Sequence, residues 1–118
     1  MTVRTVAPKE FVKRDTAVRK WQVDCTPILT TPGGATTISS VTGSPEISPI
    51  TASPLVISGA APTSIATVDN DGFSVAAGKA IEFTASGGLA GQRYLVVINF
   101  AMPNGESDEA PFYVNVEG

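Results

Sequence analysis

The chain has 118 residues, 42% of them hydrophobic, a net charge of −3 and no histidine. That length makes one domain, able to bury a core without metal or disulfides. The missing histidine excludes Ser-His-Asp and Cys-His nucleophiles, imidazole general bases and zinc sites built on His.

One cysteine, Cys25, allows no intrachain disulfide and suits a reducing compartment. With no His to activate it, it reads as a small buried thiol. Charges run through residues 1–20, without the apolar run of about 7–15 residues that marks a signal peptide. Nor is there an apolar stretch near the ~20 residues of a membrane span. The expectation is a soluble protein, made and used without secretion.

Met1 to Arg14 reads as an extended arm. Val3, Val6, Phe11 and Val12 follow no clean period, and Pro8 blocks a helix or an inner strand. A partner is expected to order this arm, and its removal to leave the rest folded. The boundary falls after residue 17, with the body at 18–118. Residues 1–20 hold six basic and two acidic side chains, a net of +4, whereas the remainder holds two basic and nine acidic ones, a net of −7. A basic arm can therefore dock on a neighbour's acidic body, through Arg4, Lys9, Phe11, Lys13 and Arg14. A nucleic-acid tail is disfavoured, because acids interrupt the arm and no stacking aromatics follow in series.

Arg19 to Cys25 alternates, with Trp21, Val23 and Cys25 on the core face. Pro32-Gly33-Gly34 turns the chain, Thr36 to Val41 forms a strand with Ile38 inward, and Pro45 and Pro49 confine Ile47–Ile50 to an edge or loop. Between Leu29 and Val68 the one charged residue is Glu46. Such a run is either a set of Thr/Ser-rich strands or a flank buried between subunits, with Ile47, Ile50 and Leu55 as candidate contacts. Leu55–Ser58 and Ser64–Asp69 read as one hairpin, joined through Gly59-Ala60-Ala61-Pro62. In Asp69-Asn70-Asp71-Gly72 a plain turn is favoured over a calcium loop, which would need further ligands and a distal Glu. Phe73 and Val75 point inward, and Lys79 to Ala85 places Ile81, Phe83 and Ala85 in the core with Glu82 and Thr84 in water.

Gln92 to Met102 is apolar on both faces, Tyr94, Val96, Ile98 and Phe100 on one and Leu95, Val97, Asn99 and Ala101 on the other. It reads as a central strand covered on both sides. Pro103-Asn104-Gly105 reverses the chain, and Pro111 to Val116 returns with Phe112, Val114 and Val116 together. The carboxylates Glu106, Asp108 and Glu109 sit beyond the hairpin tip as solvated charges. No stretch has the spacing of a long amphipathic helix. The fold class is therefore all-β, an antiparallel immunoglobulin-like β-sandwich with an extended N-terminal arm. Val56 and Ile65 complete the expected core, and Tyr94 is placed to make the tyrosine-corner bond of such sandwiches. No catalytic residue, metal site or cofactor is expected.

Trp21-Gln22-Val23-Asp24-Cys25, Thr37-Ile38-Ser39-Ser40, the block Ala85 to Tyr94, and Ile98 through Gly105 to Phe112–Val116 together resemble the small immunoglobulin-like fiber-tail adaptor proteins of tailed bacteriophages. The resemblance covers most of residues 13–117. It implies a virion structural protein without turnover, made in the host cytoplasm. Its site would be the tail or head-to-tail junction, and its partners copies of itself, tail, portal or connector proteins and tail fibres, with neither nucleic acid nor membrane. The alternative is an adhesive sandwich domain that binds carbohydrate or a cell-surface protein through exposed loops.

Overall fold

Alternating sequence makes the strands that carry the core. The computed structural model describes residues 9–25, 29, 37–63, 67–68, 74–75, 77–103 and 105–118. In chain order its strands are β1 (Lys9–Arg14), β2 (Arg19–Asp24), β3 (Ser40–Val41), β4 (Glu46–Ser48), β5 (Leu55–Pro62), β6 (Thr67–Val68), β7 (Ser74–Val75), β8 (Ala80–Gly87), β9 (Arg93–Ala101) and β10 (Ser107–Glu117). The first sheet runs β1-β10-β9, and β3 and β4 share the far edge of β9. The second runs β2-β8-β5, and β6 pairs with β7 alone. Every pairing is antiparallel except that of β1 with β10.

The two sheets pack face to face through aromatic side chains. Phe11 of β1 stacks on Trp21 of β2 with ring centroids 4.6 Å apart, and Phe83 of β8 stacks on Phe112 of β10 at 4.8 Å. Phe11 also meets Phe83 and Phe112 edge-on. Each such pair is worth about 0.5–1.5 kcal/mol beyond its buried area. Around this cluster lie Tyr94, Val96, Ile98 and Phe100 of β9, Val114 and Val116 of β10, Ile81 and Ala85 of β8, and Val23, Cys25 and Ile38, all buried. The Cys25 thiol is pushed up to about 12, chiefly by burial and further by the Asp24 carboxylate.

A second cluster joins the sheets at one end. The buried Tyr94 hydroxyl accepts the Leu89 N–H at 2.8 Å and lies 2.6 Å from Thr51 Oγ1. This is the tyrosine bond expected from the sequence. Next to it, Gly88 has φ +97°, and a Cβ there would come within 2.7 Å of Val116 Cγ2, so the corner admits only glycine. Lys13 points inward from β1 and is 2% exposed. Its Nζ donates to Arg14 O and to Gly87 O, each at 2.6 Å, and Gly87 ends β8 in the opposite sheet. Burial pulls the Lys13 pKa below its ordinary value.

Several expectations need correction. Residues 9–14 are not a partner-ordered arm: they form an edge strand paired with β10, because Phe11 supplies a large apolar group that fills the core beside Trp21. Residues 1–8 lie outside the described residues. Leu55–Ser58 pairs with β8, and the described part of Ser64–Asp69, Thr67–Val68, pairs with β7, so the expected hairpin between the two is not formed there. Instead β5 continues to Pro62 along β8, with Gly59 at φ +64° absorbing a register shift between Ser58 and Ala61. A bulge replaces the turn. Leu55 and Ile57 face inward and Val56 is exposed, the reverse of the expected phase, because three consecutive apolar residues carry no alternation to read. The strand around Ile38 is limited to β3, while β10 begins four residues before Pro111. Ile65, Phe73 and the 69–72 turn lie outside the described residues, as does the side chain of Val75.

Candidate interaction surfaces

The residues singled out as contacts divide sharply. Phe11 and Leu55 are core residues, 3% and 4% exposed, and Lys13 is buried on backbone carbonyls. They cannot serve as open contacts while β1 stays docked. Ile47 is half-buried and packs against the core from β4. Arg14 is exposed at the end of β1, and Ile50, 93% exposed, stands in the loop before β5. Arg4 and the side chain of Lys9 lie outside the described residues. Of the described candidates, Arg14 and Ile50 are therefore open at the surface, whereas Phe11, Lys13 and Leu55 are not.

The outer faces of the sheets provide a clearer contrast. In the second sheet the outward residues are Lys20, Gln22 and Asp24 of β2, Glu82, Thr84 and Ser86 of β8, and Val56 and Ser58 of β5, a polar face of mixed charge. An open groove of about 480 Å³ runs over it, lined by Lys20, Gln22, Gly59, Glu82 and Thr84 among others. In the first sheet the cross-strand register aligns Val12 with Asn115 and Arg93, Tyr113 with Leu95, and Pro111 with Val97. Leu95, Val97, Pro111 and Tyr113 are half-buried and Val12 is 55% exposed, so this outward face has an apolar centre. Glu10, Arg14, Glu46, Arg93, Glu109 and Glu117 rim it, all exposed.

Arg93 fixes one side of that face. Its guanidinium lies over the Tyr113 ring, 3.9 Å from the centroid, and pairs with Glu10 across three strands. The pair is half-exposed and adds orientation more than stability. Tyr113 is thereby covered on one face by Arg93, beside the half-buried Leu95 and Val97 of β9. Sequence reading missed this patch as a surface. The signal was present in the apolar second face of Gln92–Met102, which was taken as buried within the domain; it is only half-covered.

Among the described residues, no group of His, Cys, Asp or Glu side chains converges where a metal ion could be held, and no helix is long and apolar enough to cross a membrane. No family model, curated protein or solved structure matches the chain.

Proposed function

We propose that this protein is a non-catalytic structural adaptor of immunoglobulin-like fold, acting in the virion of a tailed bacteriophage by docking onto other proteins at the tail or head-to-tail junction. The observation that carries the docking reading is the outer face of the β1-β10-β9 sheet. Its apolar centre of Val12, Leu95, Val97, Pro111 and Tyr113 is ringed by charge, while the opposite sheet's outer face is polar. An apolar centre with a charged rim is the anatomy of a protein-binding surface.

Strand order supports the immunoglobulin-like assignment. The order β2-β8-β5 corresponds to strands B, E and D of that fold, and β10-β9 with β3 and β4 corresponds to G, F and C. The Tyr94 hydroxyl on the Leu89 N–H is the tyrosine corner at the start of strand F. The phage role rests on the resemblance of the Trp21–Cys25 and Ala85–Val116 blocks to fiber-tail adaptors. Ring copies presenting this face would hold fibres by many repeated contacts.

The test immobilises the full chain and titrates it with the tail, portal and fibre proteins encoded alongside it, and in parallel with a glycan panel. Binding to a virion protein is expected, and Leu95→Lys or Val97→Lys should weaken it at least about tenfold, or ~1.4 kcal/mol. Glycan binding without virion-protein binding would overturn the adaptor and favour an adhesive domain.

A further inference from the structure

We propose that β1 is an exchangeable strand whose second acceptor is another copy of this chain: Lys9–Arg14 of one copy seats against β10 of its neighbour, and Phe11 enters the neighbour's cleft between Trp21, Phe83 and Phe112. The inference rests on the docking reading above and names one of its partners.

Four observations converge on it. First, among the described residues β1 pairs along one edge, with β10, and every contact it makes there is available in any other copy. Exchange therefore substitutes one set of contacts for an identical set, which makes it a low-cost route to assembly. Second, residues 15–18, which join β1 to β2, contain neither Gly nor Pro, and none of them has a positive φ. Two backbone bonds hold the turn, Asp15 N–H to Glu117 O at 2.7 Å and Ala17 N–H to Arg14 O at 3.1 Å. Opened out, four residues reach about 13 Å, enough to carry β1 off its own body.

Third, the hinge presents an apolar group at the surface: Val18 is 64% exposed. In an exchanged pair the two opened hinges run beside each other and cover it. Fourth, charge favours the encounter. β1 carries Lys9, Lys13 and Arg14 against Glu10, and β10 carries Asp108, Glu109 and Glu117. Lys13 is inward and bonded to Gly87 O of the opposite sheet, a contact that an exchanged strand reproduces in the neighbour, and an inward lysine guards an edge strand against foreign strands. Reciprocal exchange gives a dimer; donation from each copy to the next closes a ring.

The test uses two single variants of the full chain, Val12→Cys and Asn115→Cys, whose positions face each other across β1 and β10. Each is mixed with the other and oxidised. Exchange yields a covalent pair of one Val12→Cys and one Asn115→Cys chain, and its ratio to uncrosslinked chains rises about tenfold for a tenfold rise in concentration in the dilute limit. Homotypic pairs alone, or no crosslink, would overturn exchange. Deleting Thr16 and Ala17, so that β1 cannot fold back, should make the two-chain form predominate at concentrations where the wild-type chain is mostly single. A folded monomer would overturn the proposal, and should the deletion not fold, the crosslink decides by itself. Neither experiment contains a virion protein or a glycan. A chain that exchanges yet ignores virion proteins retains this inference and loses the adaptor reading; the converse loses exchange alone.

Discussion

Replacing Phe11 with alanine separates an integral edge strand from a loose arm. Phe11 is 3% exposed, stacks on Trp21 at 4.6 Å and meets Phe83 and Phe112 edge-on at 5.9 and 5.5 Å. Truncating a buried phenylalanine costs about 3–5 kcal/mol through lost transfer energy and the cavity left behind. A domain of this size has about 5–15 kcal/mol in total, so the variant should remain folded but weakened. With a urea slope of about 1.5–2 kcal/mol/M, the midpoint should fall by about 2 M. Trp21 is the sole tryptophan and lies against Phe11, so its fluorescence reports the transition directly. Val12→Ala, on the exposed side of the same strand, should stay within about 0.5 kcal/mol of wild type. A Phe11→Ala midpoint no lower than that of Val12→Ala would refute the placement of β1 in the core and restore the arm.

Tyr94→Phe keeps the ring and removes the hydroxyl that accepts the Leu89 N–H; denaturation should show a loss of about 1–3 kcal/mol. Lys13 has a lowered pKa in the folded chain because of burial, so between that value and the ordinary 10.5 this group holds its proton more in the unfolded chain and its contribution to stability rises with pH, against the fall that the raised Cys25 thiol contributes. Relative to wild type, Lys13→Met should flatten that rise, and denaturation midpoints collected across the alkaline range would read the difference. Cys25 is fully buried with its thiol pushed up to about 12, so a disulfide reagent at neutral pH should label it only as fast as the chain opens, and mild denaturant should accelerate labelling. Fast labelling in native buffer would contradict its burial.

Much of the fold was legible because β8, β9 and β10 alternate or pair without ambiguity. Ile81, Phe83 and Ala85, and the series Tyr94 to Phe100, all lie in the core as their spacing predicted. The turn at Gly105 and the Tyr94 hydroxyl bond were likewise set by local chemistry. Leu55-Val56-Ile57 failed the same test, since a run of apolar residues has no phase and only the partner strand decides which of them turns inward. Phe11 failed for a different reason. Within KEFVKR it is one aromatic among charges, and only its seat beside Trp21 and Phe112, supplied by residues far away in sequence, makes the segment a strand. The half-buried second face of β9 reads from the sequence as covered within the domain, because an apolar face records that it is to be covered without recording by what.

That covering is the point to measure. Light scattering gives the mass of the full chain alone and mixed with the tail, portal and fibre proteins that the proposed adaptor role calls for, for wild type and for Leu95→Lys. The account predicts that in at least one mixture the wild-type chain, 12.2 kDa per copy, forms a complex heavier than either component alone, and that the variant loses this mixed complex. A wild-type chain that stays at the single-chain mass in every mixture would contradict it.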